Sequence, residues 1–148
     1  AWMTAGFDDA QRVVDLAERS LKLNPHHPDW YNQGLSYVFF FGGHFDRSVK
    51  YRLLVKEPLA LDYAFLAMGY AHSGLAREAE AAATNVTRLD PSWNAERYAG
   101  EFGGYAEKQA ELFVDGARKA GLPACIPSDK MKDIPNLIRI KSCNQHRQ

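Results

Sequence analysis

Apolar residues recur at intervals of three and four positions along most of the chain, which is the spacing of an amphipathic α-helix. The pattern predicts helices over residues 9–23, 28–42, 45–56, 59–73, 75–90, 92–100 and 106–120. Gly42-Gly43 and Gly74 follow two of these segments, where a left-handed residue commonly ends a helix. Alternation with a period of two occurs only in residues 137–141. The pattern therefore predicts an all-α core.

A 33-residue repeat organises these helices. Pro25, Pro58 and Pro91 are each 33 residues apart, and the first two are followed after five residues by Trp30 and Tyr63. The apolar spacing within each repeat unit predicts two helices. One helical hairpin cannot bury its apolar face alone, so the repeat predicts hairpins that stack into an α-α superhelix.

The second unit resembles the tetratricopeptide repeat. The positions that carry the resemblance are Tyr63, Leu66, Ala67, Tyr70, Ala79, Ala83, Val86 and Pro91. Within that family the chain is similar to the C-terminal repeat region of bacterial adenylate/guanylate cyclase-like proteins, through residues 16–25, 95–98 and 115–123. The resemblance is to the attached repeats, so it carries over no residue for nucleotide cyclisation. It places Ala67 and Ala79 where helices cross, and we expect both to be buried.

Composition changes abruptly near Pro123. The first 124 residues contain 20 alanines and no isoleucine, whereas residues 125–148 contain all four isoleucines, both cysteines and no alanine. We therefore predict a helical-repeat domain over residues 1–123 and a C-terminal tail over residues 124–148. Two interpretations of the tail stay open. It is disordered, or it is an extended segment that docks on an apolar helical surface through Ile134, Leu137, Ile138 and Ile140.

Charge and cysteine content exclude several classes of protein. Lys+Arg and Asp+Glu both total 18, and a chain with a net charge of zero is a poor candidate for binding nucleic acid. No apolar run is long enough for a transmembrane helix, so we expect no membrane partner. Cys125 and Cys143 are too few for a disulfide scaffold, and no signal peptide is visible. We therefore expect a cytoplasmic protein.

The sequence contains no recognisable catalytic or metal-binding motif. His26-His27 lies in a loop between two prolines, and the two cysteines lack the paired spacing of zinc ligands. No serine stands in a Gly-x-Ser-x-Gly turn, and the glycine pairs do not form a phosphate-binding loop. We therefore expect no catalytic residue, no metal and no cofactor.

The repeat resemblance implies a concave groove, because the first helix of each hairpin lines that surface in the family. The groove residues that follow are Tyr31, Leu35, Phe39, Met68 and His72. For Leu35 and Phe39, a core position is an equally good interpretation. The groove lacks the Lys, Asn and Arg side chains that clamp a peptide carboxylate, so an apolar partner is favoured.

These expectations predict a non-catalytic scaffold for protein–protein or intramolecular contacts. Its partner would be another protein or an upstream domain of the same chain, as in the regulatory or assembly module of a cyclase-like protein. The alternative is a sensor that binds a small apolar ligand in the groove. The apolar start of the chain, at Trp2, Met3 and Phe7, further predicts a homo-oligomer.

Overall fold

The computed structural model describes residues 9–103 and 105–144, which form helices and connecting loops. Its elements are α1 (Ala10–Leu23), α2 (Tyr31–Phe41), α3 (Phe45–Arg52), α4 (Ala60–His72), α5 (Ala76–Leu89), α6 (Ala95–Tyr98), a π-helical turn (Ala99–Gly103), α7 (Glu107–Lys119), a 3₁₀ segment (Ser128–Asp133) and α8 (Lys141–Asn144). No β-strand occurs in these residues, and the predicted all-α fold class is confirmed.

Local chemistry sets the helix ends much as the sequence predicts. Gly43 and Gly74 adopt φ angles of +80° and +77°, the left-handed conformation that costs a glycine little, and they follow α2 and α4. Asp9 begins α1 by accepting a hydrogen bond from the Arg12 amide at 3.0 Å. The predicted helix over 92–100 is instead the short α6 followed by the π-helical turn.

The helices pack as consecutive pairs around α4. Helix α2 packs on α3, α3 on α4 and α4 on α5, while α7 lies against α4 from another side. The predicted burial of Ala67 and Ala79 is confirmed, since both side chains are buried. The main core is centred on Phe40, Phe65 and Phe113, and a smaller core lies between α1 and α2.

The tail packs against the helical body as far as Asn144, so the structure favours the docking interpretation over disorder. Ile126 is buried, and Ile140 packs partly buried on the main core. Ile138, however, is 90% exposed and does not dock. The alternating segment forms no strand. The Leu137 amide bonds to the Ile134 carbonyl within the tail, and the Ile140 amide bonds to the carboxylate of Glu96.

The cysteines correct an expectation, because Cys125 and Cys143 form a disulfide. Two cysteines are too few to predict a disulfide scaffold, but the tail turns back and brings their Cα atoms to 5.4 Å. Disulfides persist in oxidising compartments and are rare in a reducing cytoplasm. The cysteine content therefore no longer supports a cytoplasmic location.

Two further expectations concern the chain ends and membranes. The apolar start at Trp2, Met3 and Phe7 lies outside the described residues. None of the helices described combines the length and the apolar character that crossing a bilayer demands.

Candidate functional site

Three of the five predicted groove residues on α2 and α4 are core residues in this fold. Leu35, Phe39 and Met68 have no exposed surface. Helix α7 covers the α4 part of the predicted groove: its Phe113 ring lies 5.6 Å from that of Phe65. Its Gly116 lies against Met68. The groove that the resemblance implies is therefore filled by the chain itself.

Replacing Gly116 by alanine tests this packing. A Cβ at that position would lie 3.0 Å from Nε2 of His72 and 3.1 Å from Cβ of Met68. We expect the variant to lose about 1–3 kcal/mol of unfolding free energy through overpacking, measured by urea denaturation. The control is Gly34→Ala on α2, where the added Cβ meets nothing within 4 Å and should be neutral or stabilising. A Gly116→Ala protein as stable as the parent would contradict the close approach of α7.

His72 is the predicted groove residue with ionisable chemistry. Its ring stacks on Phe45 with centroids 4.2 Å apart, and its Nε2 is buried with no hydrogen-bond partner among the described residues. Burial, and then the positive charge of Lys119, lower the pKa of His72. The imidazole is therefore held neutral as part of the α4–α7 packing.

Tyr31 differs from the other predicted groove residues because it is the first residue of α2 and lies next to an exposed surface. Its ring centroid is 4.5 Å from that of Trp30 and 5.9 Å from that of His27. Trp30 is 71% exposed. Tyr31 thus supports a tryptophan that faces solvent.

This exposed surface is formed by the α1–α2 and α3–α4 loops. An ion pair between Lys56 and Asp29 joins the two loops. Their large apolar side chains, each more than half exposed, are Trp30, Leu53, Leu54 and Leu59. We refer to these residues as the loop-end surface. Large exposed apolar side chains on two joined loops are candidates for an interaction site.

A buried polar network ties α2, α3 and α4 together just beneath that surface. Arg52 and Asp62 pair at 2.8 Å with side chains only 4% and 3% exposed. The Arg52 Nε donates to Ser36 Oγ at 2.9 Å, and Asp62 Oδ2 accepts from the Leu59 amide at 2.8 Å. The guanidinium also lies 4.5 Å from the ring centroid of Phe65. These bonds hold both charges inside the fold.

A cluster of tyrosines packs around Phe65 and Phe113. The Tyr105 ring is 5.9 Å from that of Tyr37 and 5.4 Å from that of Phe113, which also neighbours Tyr98. Burial raises the pKa of Tyr37 to about 12, and it raises the pKa of Tyr98 and Tyr105 as well. The phenols therefore remain protonated near neutral pH and serve as packing and hydrogen-bonding groups.

The buried charges were not among the sequence predictions. Arg52, Asp62 and Glu96 are residue types that normally face water, and apolar periodicity says nothing about them. Asp62 had one available signal, since it stands three residues after Leu59, the spacing of an acidic residue that caps a helix start. Glu96 has no comparable signal because its partners come from the distant tail.

No group of three or more His, Cys, Asp or Glu side chains that could hold a metal occurs in residues 9–103 and 105–144. The described residues define an all-helical protein of packed hairpins with an apolar loop-end surface. No protein-family model, curated protein or solved structure matches the chain.

Proposed function

We propose that this chain is a non-catalytic helical-repeat scaffold of the tetratricopeptide type that mediates protein–protein contacts. The observation that carries the proposal is the loop-end surface, where four large apolar side chains face solvent on two loops joined by an ion pair. The rigid network of Arg52 and Asp62 beneath it presents these loops in a defined arrangement. Such a surface binds by burying apolar area and needs no reacting group.

The occupant that we propose for the loop-end surface is a second copy of the chain. The net charge of zero means that two copies do not repel each other. Within the surface, Lys56 and Asp29 neutralise each other, so no unpaired charge of this pair would be carried into a contact. Trp30, whose ring lies 4.5 Å from that of Tyr31, provides the kind of aromatic anchor that contributes most at such interfaces.

The wider role rests on the sequence resemblance. By that resemblance, the scaffold would serve as a regulatory or assembly module of a bacterial adenylate/guanylate cyclase-like protein. The small-ligand alternative requires an open apolar groove, whereas Leu35, Phe39 and Met68 have no exposed surface. The geometry therefore favours the protein-contact role.

Self-association tests the proposal. We expect sedimentation velocity to show a concentration-dependent dimer for the parent chain, and a monomer for the double variant Trp30→Ser/Leu59→Ser. Both side chains are exposed, so the helical circular dichroism should not change. The matched control is Leu75→Ser, which removes an exposed leucine from the α4–α5 loop and should leave the dimer intact.

Two outcomes would contradict the proposal. A parent chain that stays monomeric up to several hundred micromolar would rule out a second copy as the occupant. A dimer that persists in the Trp30→Ser/Leu59→Ser variant would place the contact elsewhere on the molecule.

A further inference from the structure

The tail from Ile126 to Ile140 is bound to the body through one buried carboxylate, that of Glu96. Its side chain has no exposed surface. Oε1 accepts from the Ile126 amide at 2.8 Å, and Oε2 accepts from the Ile140 amide at 3.1 Å. Arg139 donates to both oxygens, at 2.9 and 3.3 Å. These donors to the carboxylate all come from the tail, so Glu96 is satisfied only while the tail is in place.

The disulfide encloses the segment that supplies these donors. Cys125 directly precedes Ile126, and Cys143 lies three residues after Ile140. The chain up to Cys125 has its own anchors on α6, because the Ala95 amide bonds to the Pro123 carbonyl at 3.0 Å. Asn94 likewise donates to the Cys125 carbonyl at 3.1 Å. Without the disulfide, the part that can leave therefore begins after Cys125.

The remaining polar anchors of the tail are few and partly solvated, and its apolar contacts with the body come mainly from Ile126, Leu137 and Ile140. Lys141 pairs with Glu107 at 2.7 Å, and both side chains are more than half exposed. Exposed ion pairs of this kind add little stability. The Ser142 amide bonds to Glu111 at 3.0 Å. Covalent closure by the disulfide is thus a major restraint on residues 126–144.

The two cysteines differ in how far they are buried. Cys143 is only 3% exposed and belongs to the main core, whereas Cys125 is partly exposed. Arg118 on α7 donates from Nη2 to the Sγ of Cys125 at 3.5 Å. Cys125, the less buried cysteine, is therefore the one that a reductant approaches, and after reduction the neighbouring guanidinium favours its thiolate form.

We propose that residues 126–144 form a redox-released cover over α6 and the π-helical turn. A dithiol reductant attacks the Sγ of Cys125, the S–S bond breaks, and Cys143 leaves as a thiolate that takes up a proton. The second thiol of the reductant then attacks the mixed disulfide, and Cys125 leaves as a thiolate that takes up a proton. The reductant is thereby oxidised to a cyclic disulfide. Two electrons and two protons pass to the protein, and the cover is free to lift from Glu96.

Lifting the cover changes the surface around α6. The carboxylate of Glu96 loses Arg139 and becomes an exposed negative charge. The side chain of Leu137, which lies against Gly100, and the buried side chain of Ile126 are released from the body. Reduction therefore replaces a neutral, covered surface with an acidic and apolar one.

Amide hydrogen exchange tests the proposal on the full chain, compared oxidised and after dithiothreitol treatment with thiols counted. We expect the amides of Ile126 and Ile140 to exchange at least tenfold faster in the reduced protein, because both donate to Glu96 only in the closed state. Amides within α4 serve as the internal reference and should not change. Equal protection of Ile126 and Ile140 in both states would overturn the proposal. A uniform rise that includes α4 would also overturn it, since the disulfide would then support the whole fold.

Two sets of variants separate the cover from effects of the reductant. Cys125→Ser/Cys143→Ser should show the fast exchange of Ile126 and Ile140 without dithiothreitol and no further change with it. Arg118→Gln should slow re-formation of the disulfide by oxidised glutathione several-fold. The matched control, Lys119→Gln, removes the neighbouring exposed cation and should not slow it. Equal rates for Arg118→Gln and Lys119→Gln would refute the role of Arg118 in closing the cover.

Discussion

Replacing Arg52 by methionine is expected to lower the unfolding free energy by about 3–5 kcal/mol. Methionine is similar in length, so the change mainly removes the cation. It leaves the Asp62 carboxylate buried without the partner that now lies 2.8 Å away, and it removes the donor to Ser36. Urea denaturation monitored by circular dichroism measures the loss.

An exposed ion pair provides the control for this prediction. Lys56→Met removes the cation that pairs with Asp29 on the surface and should change stability by less than about 0.5 kcal/mol. The double variant Arg52→Met/Asp62→Leu should regain part of the loss, because it leaves no buried charge unpaired. An Arg52→Met protein within 1 kcal/mol of the parent would show that water reaches the pair.

Placing aspartate at position 67 is the second change with a large expected effect. Ala67 lies on α4 with no exposed surface, so an aspartate there must bury a carboxylate in the main core or force the helices apart. We expect a loss of at least about 3 kcal/mol in a denaturant melt. The free energy of unfolding should also fall as pH rises through the range where the new carboxyl ionises, since its charged form is the costly one.

Ala81→Asp on α5 is the matched control, because Ala81 is exposed on a helix of similar length. It should change the unfolding free energy by no more than about 0.5 kcal/mol. A loss of less than 0.5 kcal/mol for Ala67→Asp would contradict the assignment of Ala67 to a helix crossing.

The predicted groove shows which features of a helix a repeat pattern can and cannot determine. The three- and four-residue spacing identifies the apolar face of α4 correctly, but it cannot tell a core face from an open one. Met68 and His72 are covered because α7 returns across α4. Helix α7 places Gly116 at the contact, and this residue has no side chain to obstruct the close approach. That return depends on the short α6 and the π-helical turn, which no local signal in residues 92–104 predicts.

The sequence by itself determines the local structure of this protein. Pro25 and Pro91 limit helices because proline cannot continue one, Gly43 and Gly74 accept the left-handed conformation that ends one, and apolar spacing determines which faces turn inward. These are interactions between residues a few positions apart. The tertiary structure alone decides the pairing of Arg52 with Asp62 and the burial of Glu96, because a charge can be buried only where distant residues supply its partners. It also decides the joining of Cys125 to Cys143, which depends on the tail turning back over α6.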